Sequence, residues 1–185
     1  HCHSNISAVK DADAGLKKLV LAGNPNVGKS VFFNSLTGLY VDVSNFPGTT
    51  VDISTGKYKD YLVMDTPGVY GVSSFNDEEK VARDVILEAD IVLNVVDAVH
   101  LQRDLFLTQQ LIDMGKKVLV ALNMMDEVKK NGMDINVQKL SDLLGVPVVP
   151  TVGLKGQGVD EVKKFLHSAK IGNKTDGVDD LLDSS

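Results

Sequence analysis

Gly23-Asn24-Pro25-Asn26-Val27-Gly28-Lys29-Ser30 is the stretch that decides the fold. It follows a short apolar run, Leu19-Val20-Leu21-Ala22, and precedes Phe32-Phe33-Asn34-Ser35-Leu36, whose apolar spacing is helical. Strand, Gly-rich turn and helix in that order make a phosphate-binding loop. The small residues let backbone N–H groups from Asn24, Pro25's neighbours, Val27, Gly28 and on to Val31 converge on phosphate oxygens, and the helix adds its positive end. Lys29 supplies a point charge for the β- and γ-phosphates, and the Ser30 hydroxyl suits Mg²⁺. The GxxxxGKS spacing is complete, which a chance turn before a helix would rarely match.

Outward from the loop, strands and helices alternate. A core strand is expected from Leu16 to Ala22 and a helix from about Lys29 to Leu39. Tyr40 to Thr50 reads as a loop, because Pro47-Gly48 interrupts any regular element. A loop of that length beside a phosphate site is a candidate switch in which Thr49 or Thr50 offers a hydroxyl to Mg²⁺; a plain surface loop is the alternative. Residues 51–58 alternate as a strand, and Tyr61 to Asp65 reads as its hairpin partner, ending in Asp65-Thr66-Pro67-Gly68. A carboxylate at that strand end suits a Mg²⁺-holding role through water, and Gly68 has an unhindered N–H for a γ-phosphate. By itself Asp-x-Pro-Gly is often only a turn.

Further on, Asp77-Glu78-Glu79 supplies an acidic first helical turn with Val81, Val85 and Ile86 on the apolar face. Ile91 to Val96 reads as a strand covered on both sides. A helix follows from about Leu101 to Met114, with Leu101, Leu105, Thr108 and Ile112 inward, then a strand from Lys116 to Leu122. That strand ends at Asn123-Met124-Met125-Asp126, where open α/β sheets bind ligands. The Asp126 carboxylate can accept from N1 and N2 of guanine, a donor pair adenine lacks, while Asn123 braces the phosphate loop. Ile135, Leu140, Leu143 and Leu144 mark another helix, Val146 to Thr151 the last strand, and Val159, Val162, Phe165 and Leu166 the inward face of the final helix. The pattern predicts an α/β P-loop nucleotide hydrolase: a mostly parallel six-stranded sheet with one antiparallel edge strand and helices on both faces. Residues 1–16 are expected to be a flexible segment, 17–170 the nucleotide-binding domain, and 171–185 a polar linker.

Composition narrows the function. A net charge of −6, with Arg83 and Arg103 the only arginines, argues against sequence-independent nucleic-acid binding. No apolar run approaches a membrane span, and no signal-peptide pattern is present. The single Cys2 excludes an internal disulfide and fits a reducing compartment. His1-Cys2-His3 places three soft-metal ligands together; a site there needs at least one ligand from elsewhere, and an exposed end without a site is the alternative. Since the first residue is His1 rather than Met, an upstream part is expected.

Gly23–Ser30, Asp65–Gly68 and Asn123–Asp126 together look like the ordered motifs of small GTPases. Ser44-Asn45-Phe46-Pro47-Gly48-Thr49-Thr50-Val51-Asp52 resembles the Asn-Trp-Pro-Gly-x-Thr-Val-Glu signature of the bacterial ferrous iron transport protein B family, as do Asp65–Tyr70 and Asp77–Asp84. The resemblance covers about residues 17–169. It implies a GTP-hydrolysing switch domain, with GTP or GDP, Mg²⁺ and potassium as cofactors. Thr50 is by it the threonine that meets Mg²⁺ beside Ser30 and Asp65, and Asn26 the asparagine that holds potassium near the phosphates. Support of the loop turn is the other reading of Asn26. Val152-Gly153-Leu154 takes the place of the fifth guanine motif, where Gly153 keeps a backbone N–H for guanine O6. Phe46 stands where Trp is common and Thr66 where Leu is common, which suits a divergent branch; Gly153 stands where Ser or Ala is usual and brings no side chain to stiffen its loop.

The same resemblance implies a membrane transport domain in the same full-length polypeptide, on the cytoplasmic face of the bacterial inner membrane, passing Fe²⁺. A homo-oligomer is compatible with it; the sequence does not specify one. Valine at 69, where many signalling GTPases place a water-orienting Gln, implies slow intrinsic hydrolysis by Lys29, Thr50, Gly68 and the loop backbone. Two other classes compete. A ribosome-assembly or tRNA-modification GTPase would favour Arg-Asp after Pro-Gly-Thr-Thr, but Val51-Asp52 follows here. A non-catalytic nucleotide-responsive interaction module would retain GTP without turning it over.

Overall fold

Strand β1 (Lys17–Gly23) is where the two halves of the core divide. Its side chains alternate across the sheet, as strand geometry requires. Leu19 and Leu21 join one buried cluster with Phe32, Phe33, Leu93 and Leu119. Val20 and Ala22 join another with Met64, Val85, Ile86, Leu107 and Leu111. All four β1 residues are fully buried, so β1 is covered on both faces. The computed structural model describes residues 15–73 and 75–175. His1-Cys2-His3 and residues 176–185 of the expected linker lie outside the described residues.

From β1 the chain passes through the phosphate-loop turn into α1 (Lys29–Thr37). Strands β2 (Val41–Asn45), β3 (Asp52–Tyr58) and β4 (Tyr61–Asp65) form an antiparallel meander. Then come α2 (Asp77–Leu87), β5 (Ile91–Asp97), a 3₁₀ turn at Ala98–His100, α3 (Leu101–Asp113) and β6 (Lys117–Asn123). The remainder is α4 (Met125–Lys130), α5 (Val137–Leu144), β7 (Val148–Pro150), α6 (Val159–Phe165) and β8 (Lys170–Ile171). The sheet order is β2-β3-β4-β1-β5-β6-β7, with β8 pairing β6. Neighbours from β4 to β7 are parallel, and β8 runs antiparallel to β6 below β7. Helices α1 and α6 cover one face, and α2, α3 and α5 the other.

The α/β architecture matches the expectation, and the strand count exceeds it: eight among the described residues rather than six. The first half of the expected loop 40–50 is strand β2, paired to β3 from Val41–Gly56 to Asn45–Asp52. Antiparallel pairing with β3 satisfies its backbone, although four of its five side chains are exposed. Helix α3 buries Thr108 and Ile112 as expected, but its inward face is rotated to take in Asp104, Leu107 and Leu111, while Leu101 and Leu105 are only partly covered. The final helix turns Phe165 outward, and Leu143 of α5 is exposed as well.

The expected linker begins too early. Strand β8 lies on β6, and the residues after it strap across the domain. Asn173 N–H donates to Leu144 O at 2.7 Å, and its amide reaches Leu143 O at 3.1 Å. Asp113, at the end of α3, accepts from Thr175 N–H at 2.9 Å and from its hydroxyl at 2.8 Å. Burial alone would raise the Asp113 carboxyl; the Thr175 donors, the Gln109 amide and nearby Lys174 outweigh it and hold the group below its ordinary value. A depressed carboxyl stabilises the strap above its unfolded value of about 4 and loses that contribution as pH falls through the folded one. Asp113→Ala should speed amide exchange at Asn173 and Thr175 at neutral pH, leaving β1 and β5 protected, and acidification should do the same to the wild-type strap.

Candidate functional site

The phosphate loop takes its shape from residues that only partly belong to it. Gly28 has φ +89°, and an added Cβ would lie 2.5 Å from the Asn123 amide nitrogen, so only glycine fits. Asn26 also adopts a left-handed conformation (φ 65°), which asparagine tolerates better than most residues. Its side chain is exposed and takes part in no hydrogen bond among the described residues. Val27 is buried against the core, with Asn24 beneath the turn and Pro25 half-buried beside it.

Asn123, at the C-terminal end of β6, is the brace that its position in the sequence suggests. Its amide donates to Val27 O at 2.9 Å, and its Oδ1 accepts from the Thr151 hydroxyl and from Gly153 N–H, each at 2.9 Å. This corrects one expectation: the Gly153 N–H assigned to guanine O6 is already used within the protein. The adjoining N–H of exposed Leu154 is the next donor along that loop. The loop does not need a residue-153 side chain to stiffen it, because Val152 and Gln157 close it with two backbone hydrogen bonds of 2.9 and 3.1 Å. Asp126 is in the first turn of α4, a helix that the sequence reading missed, and Lys155 stands 3.5 Å from its carboxylate. Met124 caps α4 in a left-handed conformation.

At the opposite wall, Lys29 Nζ pairs with the Asp65 carboxylate and donates to Thr66 O at 2.6 Å. The cation and the carboxylate singled out in the sequence therefore neutralise each other. Gly68 packs on the phosphate loop so closely that a Cβ would lie 2.8 Å from Pro25 Cα, and Val69 N–H donates to Gly23 O at 3.0 Å. Thr66 hydroxyl bonds Leu21 O at 2.7 Å, anchoring this segment to β1.

The two threonines after Pro47-Gly48 differ in what their hydroxyls do. Thr49 donates to Phe46 O at 2.9 Å and accepts from Val51 N–H at 3.1 Å, closing the turn over buried Phe46. Thr50 stays exposed and makes no hydrogen bond to Ser30 or Asp65 among the described residues. Ser30 is exposed at the start of α1. Sequence reasoning missed Asp104, 1% exposed, whose carboxylate lies under Asn24. The one available signal was a charge on an otherwise apolar helix face.

A family model for ferrous iron transport protein B matches residues 17–166. The chain belongs to the ferrous iron transport protein B family. Among FeoB relatives, the Fe(2+) transporter FeoB of Helicobacter pylori is 46% identical over 144 residues, covering 74% of this chain and 22% of that protein. A Porphyromonas gingivalis Fe(2+) transport protein A/Fe(2+) transporter FeoB fusion protein is 43% identical over 152 residues, covering 78% of this chain and 18% of that protein. The chain thus spans about a fifth of the length of these FeoB relatives. Among solved structures, an S. thermophilus NFeoB mutant bound to mGDP superposes with a TM-score of 0.80 at 48% identity, over 84% of this chain and 62% of that one. The cytosolic domain of L. pneumophila FeoB gives 0.79 at 39% identity, over 85% and 65% of the two chains.

Asn123→Ala should lower stability by about 1–3 kcal/mol in urea denaturation, since it leaves Val27 O, the Thr151 hydroxyl and Gly153 N–H without their buried partner.

Proposed function

We propose that this chain is a GTP-binding and GTP-hydrolysing switch domain that governs ferrous iron uptake through a membrane domain of the same full-length polypeptide. The observation that carries it is the Asn123 side chain, which joins the phosphate loop to the Val152–Leu154 loop beside Asp126. That arrangement puts phosphate-binding and base-reading groups on one rigid frame. Family membership supports the iron assignment, together with a place at the cytoplasmic face of the bacterial inner membrane.

Nucleotide engages the loop backbone from Asn24 to Val31, and Lys29 exchanges Asp65 and Thr66 O for phosphate oxygens. That exchange returns the Asp65 carboxylate to its metal-holding role. The donor set fits Mg²⁺: the exposed Ser30 and Thr50 hydroxyls, with Asp65 through water, are hard oxygen ligands. Mg²⁺, when bound, neutralises charge on the β- and γ-phosphate oxygens. The exposed Asn26 amide, without a hydrogen-bond partner among the described residues, suits a potassium ligand, which would supply further positive charge where the phosphate loop has no arginine. Gly68 offers its N–H to the γ-phosphate. Asp126 reads guanine N1 and N2, with the loop of Val152, Gly153 and Leu154 against the base edge. Hydrolysis is in-line attack by water, driven by positioning and charge stabilisation, and buried Val69 contributes no group to orient that water.

Turnover of GTP and ATP in potassium and in sodium tests the reading. Potassium should accelerate GTP hydrolysis, ATP should not be hydrolysed, and Asn26→Ala should erase the cation difference. ATP turnover would overturn the guanine assignment; an unchanged potassium response in Asn26→Ala would overturn the ion site. Asp126→Asn should weaken GDP binding by 10-fold or more, on the order of 1.4 kcal/mol, in a fluorescent-nucleotide titration.

A further inference from the structure

Asn24 is 2% exposed, and its amide makes a single hydrogen bond: Nδ2 donates to Asp104 Oδ1 at 2.9 Å. Its Oδ1 is buried without a partner among the described residues. The side chain is therefore held from one side only. Asp104 is itself fixed by other donors. Its Oδ2 accepts from Asp97 N–H at 2.9 Å, and its Oδ1 also accepts from Arg103 Nε at 2.9 Å. Those two bonds place the carboxylate independently of Asn24.

Asn24 sits where two functional segments touch. On one side, Gly23 O accepts from Val69 N–H; on the other, Pro25 receives Gly68. A shift of the Asn24 backbone would move both contacts, and with them the N–H groups of the phosphate loop. The helix that carries Asp104 also seats the segment after Gly68: the Arg103 guanidinium lies 5.6 Å from the Tyr70 ring centroid, and Gln110 Oε1 accepts from Val72 N–H at 2.8 Å. The hydrogen bond to Asp104 raises the Arg103 guanidinium further, so this stacking cation stays charged.

We propose that Asp104 is a positioning residue for GTP hydrolysis, holding Asn24 and so setting the phosphate loop against the Asp65–Gly68 segment. This rests on the GTPase reading above. Without the Asp104 acceptor, both polar atoms of the Asn24 amide would be buried and unpaired, and the loop would have to move to satisfy them.

The test is a double-mutant cycle of Asn24→Ala and Asp104→Ala, reading kcat/KM for GTP and, separately, affinity for a fluorescent GDP analogue. Each single variant should lower kcat/KM by about 10- to 100-fold, the range expected from a small misplacement of reacting groups. The double variant should be no worse than the poorer single one. Asp104→Asn keeps an oxygen acceptor for Asn24 but turns its NH2 toward the Asp97 N–H, so its loss should be smaller than that of Asp104→Ala, which offers a partner to neither. Asn24→Ala leaves Asp104 with two of its donors, so it keeps the test open even where Asp104→Ala does not fold. Wild-type turnover in the other variants, additive losses across the cycle, or an Asp104→Asn loss as deep as the alanine one would overturn the proposal. A wild-type chain that turns over no GTP overturns the function proposed above, and the GDP-affinity cycle then decides the Asp104 role by the same criteria.

Discussion

Three chain segments far apart in sequence are held at one point by the carboxamide of Asn123. Donor and acceptor are both used: Val27 O on one side, Thr151 and Gly153 on the other. Its burial excludes water as a substitute partner, which makes each bond costly to lose. Gly28 is constrained by the same group, since any Cβ would run into its nitrogen. Most of the site geometry follows: the phosphate-loop turn, the closed last loop and the start of α4 are all fixed relative to the end of β6.

The opposite wall works by a different principle. Lys29 and Asp65 are each assigned, in the functional reading, to something outside the protein, and here they satisfy each other. A partly buried lysine beside the phosphate loop would otherwise lack its counter-charge. On the proposed function, ligand binding would be a trade of partners at both residues, which would favour coordinated rather than stepwise occupation of the phosphate and metal positions. Thr49 and Thr50 divide their roles by the same economy of hydroxyls, one spent on the turn and the other left exposed.

How much was legible in the sequence follows from how local each signal is. The phosphate loop, the hairpin from β3 to β4 and the strand-end motifs at Asp65 and Asn123 are contiguous patterns, and the family match and structural likenesses agree with the fold they imply. Strand β2 was read as loop because Pro47-Gly48 breaks the segment just beyond it, while the pairing that makes it a strand comes from β3. The first half of helix α3 was read in the wrong phase because its inward face carries Asp104, whose partner, Asn24, belongs to another element. The Gly153 N–H was assigned outward because nothing in the chain order reveals that Asn123 takes it. The strap after β8 is polar and looks like linker; its order comes from Asp113, Leu143 and Leu144, which composition cannot disclose.

Helix α3 touches the phosphate loop through its first turn and the strap through its last residue. Its 13 residues make a rod of about 20 Å with no proline or glycine to soften it. Thr175 is thus anchored to the rod's far end. Leverage is the consequence: a tilt of about 5° pivoting on the Asn24–Asp104 contact acts over the stretch from Asp104 to Asp113, about 14 Å, and would carry the strap by roughly 1 Å, so a displacement too small to disturb the core is passed to the opposite end of the helix.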